Sequence, residues 1–427
     1  MSRRLHCTGR RGIERVLIHS LRPRSVLSFG PDTEAIPLRE MNVIIGPNGS
    51  GKSNLLEVIA LLKSAPRAMA EPIREGGGIR DWLWKGSSKP ATASLEATVA
   101  NPNGSMSLRY RASFIEQAHR FQLVDERIEN EKPYRGHTQP YFCYGFENNQ
   151  PVINIRTADG APETGTRRVL RREDVDPEQS ILSQRKDPDQ YPELTYLGET
   201  FARIRLYREW SFGRYTLPRM PQKADLPNDV LDEDARNLGL ILNRLRREPS
   251  VKRELLNALK ALYEDVTDFD VIVEGGTVQV VFQEGNIVVP ATRLSDGTLR
   301  YLCLLAVLCD PSPPPLVCIE EPELGLHPDV LPTLADMLVR ASERTQIVIT
   351  THSDTLVDAF TVAPESVLVC EKVRGSTVMR RLDQESLSEW LHKYSLGQLW
   401  RRGELGVQRV FSARGSARSH AACGGVR

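Results

Sequence analysis

The sequence predicts an α/β protein with a central, mainly parallel sheet, an antiparallel β layer beside it and a loop-rich, helical insertion. Three observations carry that prediction. The apolar run Met41–Ile45 leads into a glycine-rich octet and then into a helical pattern. Two later apolar runs, residues 316–319 and 347–349, stop abruptly at polar residues, as buried parallel strands do. Between residues 92 and 128, short alternating runs recur with Pro, Asn and Gly turns and no intervening helix, the rhythm of an antiparallel layer.

In chain order, residues 12–19 alternate like a half-buried strand, and residues 26–29 and 36–38 are further strand candidates. The octet Gly46-Pro47-Asn48-Gly49-Ser50-Gly51-Lys52-Ser53 fits the phosphate-loop pattern G-x-x-x-x-G-K-[ST] at every fixed position. Gly46, Gly49 and Gly51 let the backbone curl with its N–H groups inward, in conformations a Cβ would hinder. Lys52 is placed to reach the β- and γ-phosphates, and the Ser53 hydroxyl to ligate Mg²⁺. Residues 54–62 read as a helix whose N-terminus points at those phosphates. This pattern implies binding of a nucleoside triphosphate.

A turn at Gly76-Gly77-Gly78 closes the first helical segment, and strands are expected at 92–99, 107–113 and 120–128. Residues 130–189 are rich in Pro, Gly, Asn, Arg and Asp, and predict a loop-rich region with one or two short strands such as 152–155. Its basic run, residues 167–172, is followed by Glu173, Asp174 and Asp176, which reads as a self-neutralising surface rather than a nucleic-acid contact. Residues 193–204, 234–245 and 251–266 predict three helices forming a small subdomain. No sustained heptad run accompanies them, which excludes a long coiled coil. A hairpin is expected through Glu274-Gly275-Gly276, and then a strand at 287–289.

Leu294-Ser295-Asp296-Gly297-Thr298 precedes a helical run at 299–308, so Ser295 and Gly297 offer a hydroxyl and backbone donors to an anion. Leu316-Val317-Cys318-Ile319 ends in Glu320-Glu321, the arrangement known as Walker B. Glu320 is expected to hold the Mg²⁺ shell through water, and Glu321 to orient or deprotonate the attacking water. The strand at 346–350 ends in Thr351-His352-Ser353, where His352 is positioned to sense the γ-phosphate and the Glu321–water pair.

Taken as a series, these motifs resemble the ABC-type ATPase heads of the RecF and SMC superfamily. The stand-alone RecF-like ATPases with an AAA-type core (AAA_21) are the nearest pattern. The resemblance is carried by residues 46–54, which include Asn54, by 294–298, by Ile319-Glu320-Glu321-Pro322-Glu323 with Gly325-Leu326-His327-Pro328, and by Thr351-His352-Ser353. The ending Tyr394-Ser395-Leu396-Gly397-Gln398-Leu399-Trp400 with Gly403-Glu404-Leu405-Gly406 belongs to the same pattern. It implies a P-loop NTPase of ABC-head type binding ATP and Mg²⁺, and a head-to-head homodimer formed on ATP binding. One subunit would give Lys52, Ser53, Glu320 and Glu321, and the other Ser295 and Gly297. The segment 322–328 would lie along the contact. Asp296 stands where transporter-type signatures carry Gly, Glu320 where Asp is usual, and no Q-loop glutamine is evident. The resemblance points to DNA as a partner, in repair or recombination; the alternative is a switch gating a separate effector protein, such as a nuclease in phage defence. In this outline residues 1–129 and 271–406 form the ATPase, 130–270 the insertion, and 407–427 a disordered basic tail.

The 427 residues include 40% hydrophobic and 26% charged residues, the composition of an ordinary globular protein long enough for a large core. The longest apolar stretch, 301–309, is far too short to cross a bilayer, so no membrane partner is expected. Seven cysteines without a C-x-x-C pair argue against a disulfide framework and make a cytoplasmic location the expectation. A net charge of +1 neither favours nor excludes nucleic acid.

Overall fold

The computed structural model describes residues 16–86, 92–148, 150–155, 166–208 and 210–406. The tail at 407–427 and the start of the first expected strand lie outside them.

Met41–Ile45 (β1) is buried at every position and runs into the phosphate loop and the helix Lys52–Ser64 (α1). Arg205–Tyr207 (β2) comes much later in the chain. The helix Asp296–Leu308 (α2), Leu316–Glu320 (β3), Gln346–Thr350 (β4), Val367–Val373 (β5) and Ser376–Arg381 (β6) follow. The six strands form one sheet in the order β2-β3-β4-β1-β5-β6. It is parallel from β2 to β5, and β6 turns back antiparallel on β5.

The buried strands read as continuous apolar runs because each serves two cores. Val43 and Ile45 of β1, Val317 and Ile319 of β3, and Ile347 and Ile349 of β4 face one core with α2 and the helix Leu331–Ser342. Ile44, Cys318 and Val348, one residue out of step, face the other with α1. The alternation is the pleat of the strand, and burial on both faces removes the polar half of the usual pattern. Cys303, Cys309 and Cys318 are buried free thiols.

The expected antiparallel layer is an eight-stranded sheet that includes Ile18–Arg24, Ala93–Val99, Leu108–Gln117 and Arg120–Asn130. It extends further than predicted. The loop-rich region supplies three strands: Gln150–Ile155 contains the short strand expected at 152–155, and Phe142–Glu147 and Thr166–Val169 lie beside it. The last strand is exposed throughout, with Arg167 paired to Glu147 at 3.2 Å, so its sequence carries no alternation to read. Residues 26–29 form a tight turn rather than a strand: Val26 bridges Phe29, and Leu27 adopts a left-handed φ of 52°.

The two sheets are tied by the fully buried Gln346. Its side chain accepts from Ile18 N–H at 2.9 Å and donates to the Ile18 and Arg39 carbonyls at 2.8 and 3.1 Å.

The three helices expected as one subdomain are divided between the cores. Pro192–Ala202 packs Leu197 and Phe201 beside α1, whereas Leu238–Leu245 and Pro249–Lys260 pack on α2. The chain crosses from one side to the other through β2, which adds itself to the edge of the parallel sheet. Three residues are too few to show a period, so this strand left no signal. The predicted hairpin forms between Asp268–Glu274 and Thr277–Glu284 and lies in a separate four-stranded sheet.

Candidate active site

The phosphate loop joins β1 to α1 at the carboxyl end of the parallel sheet. Gly51 precedes α1 with φ 110°, and a Cβ there would stand 2.2 Å from Thr377 Oγ1 and 2.7 Å from Ser28 Oγ. Both hydroxyls belong to a brace behind the loop. Thr377 donates to the Ser50 carbonyl at 2.6 Å, its Oγ1 lies 2.7 Å from the Ser28 hydroxyl, and Asn54 donates to Ser28 Oγ at 2.6 Å. The buried Cys370 thiol also reaches the Ser50 carbonyl, at 3.4 Å. Glycine is therefore required at Gly51 twice over, by backbone conformation and by the closeness of β6.

Lys52 is folded back on the loop and donates to the carbonyls of Gly46 and Pro47 at 2.9 and 3.2 Å. Burial pushes its pKa below the ordinary lysine value, with Cys370, Glu321 and Glu320 pulling the other way. Ser53 donates to Glu320 Oε1, which brings the two expected metal-shell residues into direct contact. The second oxygen of Glu320 accepts from Arg208 Nε at 3.0 Å, and Arg208 Nη1 reaches Glu57 on α1 at 2.8 Å. Burial disfavours the Arg208 charge, but the two carboxylates outweigh it and hold its pKa above the ordinary value.

Glu321 leaves the strand in a left-handed conformation, φ 46°, rare for a residue with a Cβ. Its N–H is held by the Thr350 carbonyl at 3.0 Å and its carbonyl by Arg300 of α2 at 3.2 Å. That bend aims the carboxylate at His352, whose Nε2 lies 3.7 Å from Glu321 Oε1. His352 is fixed in turn by Glu323, which accepts from the His352 N–H at 2.9 Å and the Thr351 hydroxyl at 2.7 Å. Parallel register explains the convergence: Ile319 faces Ile349 and Glu320 faces Thr350, so both strands end at one level.

Ser295 and Gly297 form a second locus. Ser295 caps α2, accepting from Thr298 N–H at 3.1 Å. A Cβ on Gly297 would come within 2.7 Å of the Gly325 carbonyl, so the signature loop lies against the 322–328 segment. The buried Arg219 donates to the Leu294 carbonyl and pairs with Asp296. This gives Asp296, the departure from transporter signatures, a local structural partner.

The residues at the first locus suit a magnesium–triphosphate group. Ser53 and Glu320 offer hard oxygen ligands, α1 starts with no side-chain cap and no acid in its first turn, and the buried Ser50 hydroxyl lacks a partner among the described residues. Among the described residues no cluster of three or more His, Cys, Asp or Glu could hold a metal by itself, so phosphate oxygens and water would complete the shell. Sequence reasoning missed Arg208, Ser28, Thr377, Glu323 and Arg219. Glu323 stands inside the 319–323 stretch without a role of its own there, and the other four, outside every motif, are brought in by strand register or a distant turn.

A family model described as "AAA domain, putative AbiEii toxin, Type IV TA system" (AAA_21) matches residues 41–358. The Old nuclease of Escherichia phage P2 is 38% identical over 85 residues, 20% of this chain and only 14% of that nuclease's length. Among solved structures, an Smc head bound to the C-winged helix domain of ScpA aligns with a TM-score of 0.55 at 16% identity, covering 86% of this chain and 99% of that one. An Smc head domain with an extended coiled coil, bound to the C-terminal domain of ScpA from Pyrococcus furiosus, gives 0.54 at 14% identity over 88% and 99%. At such identities the likeness is one of fold. No helix among the described residues is long and apolar enough to cross a membrane.

Proposed function

This chain belongs to the AAA_21 family and has the fold of an SMC/RecF-like, ABC-type ATPase head, and from that premise we propose a Mg²⁺-dependent ATP hydrolase that closes head to head on DNA. The observation that supports this reading is the gathering of Lys52, Ser53, Glu320, Glu321 and His352 at one end of the parallel sheet. Lys52 releases the loop carbonyls to meet the β- and γ-phosphates. Ser53, and Glu320 through water, would hold Mg²⁺, which would neutralise phosphate charge. Glu321 takes the proton of the attacking water or orients it, and His352 lies against both Glu321 and the place of the terminal phosphate.

Ser295 and Gly297 serve the partner subunit's nucleotide. They stand beside Gly325, on the segment expected at the contact between heads. ATP binds the closed dimer better than the open one, and hydrolysis releases it. Repair or recombination is the setting that the RecF-like motifs suggest.

Hydrolysis measured with and without single- and double-stranded DNA, alongside sizing with ATP, tests the proposal. Turnover should vanish in Lys52→Ala, rise with DNA and accompany an ATP-dependent dimer. Turnover indifferent to DNA refutes the DNA half. A second reading, an ATPase switch gating a separate effector, is favoured by the family's toxin-system description and by the match to a phage nuclease. A stoichiometric protein partner in a pull-down, with no retained DNA, would select it.

A further inference from the structure

The contact that no motif anticipated is the one on Glu320. β2 pairs with β3 so that Tyr207 stands opposite Ile319, and the next residues along, Arg208 and Glu320, arrive at the sheet edge together. The turn-out is held: Tyr207 donates its hydroxyl to the Leu231 carbonyl at 2.9 Å, and Leu206 N–H donates to Glu233 at 2.7 Å. Arg208 thus reaches Glu320 from a fixed base. Glu57 lies one helical turn beyond Ser53 on α1, on the same face, and takes the other end of the guanidinium.

Both oxygens of Glu320 are engaged, one by the Ser53 hydroxyl and one by Arg208. The side chains of Arg208, Glu57 and Glu320 are only 22%, 28% and 21% exposed, so their attraction is less screened than that of a surface pair. The planar fork of arginine suits the span between two carboxylates, which a lysine point charge would not bridge in the same way.

We propose that Arg208 is an internal counter-cation that occupies Glu320 in the nucleotide-free protein and must yield it before the carboxylate can serve Mg²⁺. The inference rests on the Mg–ATP reading of the site. It makes Arg208 a positioning residue that sets the magnesium requirement, with Glu57 as the alternative seat for the guanidinium. Near the site the three groups sum to one negative charge. Without Arg208 they sum to two, and Glu320 is free; without Glu57 they sum to zero, and the guanidinium rests on Glu320 alone. The two losses must therefore shift magnesium dependence in opposite directions.

The test is binding of a fluorescent ATP analogue to the full-length protein, titrated with MgCl₂ and compared with binding in EDTA. Arg208→Gln should lower the half-saturating Mg²⁺ concentration by about three- to tenfold, the scale of a partly exposed ion pair, while binding in EDTA weakens, because the metal-free triphosphate then meets one more negative charge. Glu57→Gln should raise it. General damage to the fold would move both variants the same way, and that result overturns the proposal, as does an Arg208→Gln curve that coincides with wild type or moves upward. If wild-type binding ignores Mg²⁺, or Lys52→Ala binds like wild type, the Mg–ATP reading of the site falls as well.

Discussion

Replacing Glu321 by glutamine separates nucleotide binding from hydrolysis. The side chain is more than a third exposed and pairs with His352 at 3.7 Å, while its backbone is fixed by Thr350 and Arg300. Glutamine has the same shape and leaves those backbone bonds intact, so fold stability should change by no more than about 0.5 kcal/mol. What it loses is a base. General base catalysis contributes about 10²–10⁴-fold, and at 1.36 kcal/mol per tenfold that is roughly 2.7–5.4 kcal/mol of barrier. The exchange also removes a negative charge near Lys52, whose partners at the site include Glu321, without touching Ser53 or Glu320. Single-turnover hydrolysis should therefore slow by about 10²–10⁴-fold while ATP stays bound and the dimer persists on a sizing column. A Glu321→Gln protein that hydrolyses ATP at the wild-type rate removes Glu321 from catalysis and refutes this account of the strand tip.

Three further outcomes follow from the geometry. Gly51→Ala meets Thr377 and Ser28 at a φ of 110°, and strain of about 1–3 kcal/mol at the loop should weaken ATP binding roughly tenfold or more in a titration. Gln346→Leu leaves the Ile18 N–H and carbonyl buried without their partner, about 1–3 kcal/mol each, and thermal unfolding should shift down accordingly. Burial raises the Glu126 carboxyl above its ordinary value of 4.5, although Ser180, Ile181 and Tyr110 donate to it. Between 4.5 and the raised value the folded protein holds more protons than the unfolded chain. This group's contribution is complete below 4.5 and is lost as pH rises through the folded value. Denaturant midpoints followed upward from that pH should fall in wild type and flatten in Glu126→Gln.

The chemical residues were legible because their signals are local. The phosphate loop is eight consecutive residues, and its glycines, lysine and serine match the pattern by spacing alone. A buried strand ending in Glu320-Glu321 is equally plain, since a carboxylate rarely follows four apolar residues without use. The helix start at Ser295 was readable from its hydroxyl and the apolar run that follows. Failures came where pattern is short or balanced by surroundings. β2 has three residues, Thr166–Val169 is wholly exposed, and Leu27 adopts a turn conformation that β-propensity argues against.

By itself, then, the sequence determined an α/β nucleotide-binding fold and named the residues at the ends of its strands. Tertiary structure alone decided what surrounds them. Arg208 meets Glu320 across 112 positions, Thr377 braces Ser50 across 327, and Gln346 joins Ile18 across 328. Short-range propensity carries no information about which distant residue a strand's register will set opposite. Those pairings exist only once the sheet has closed and each buried polar group has had to find a partner.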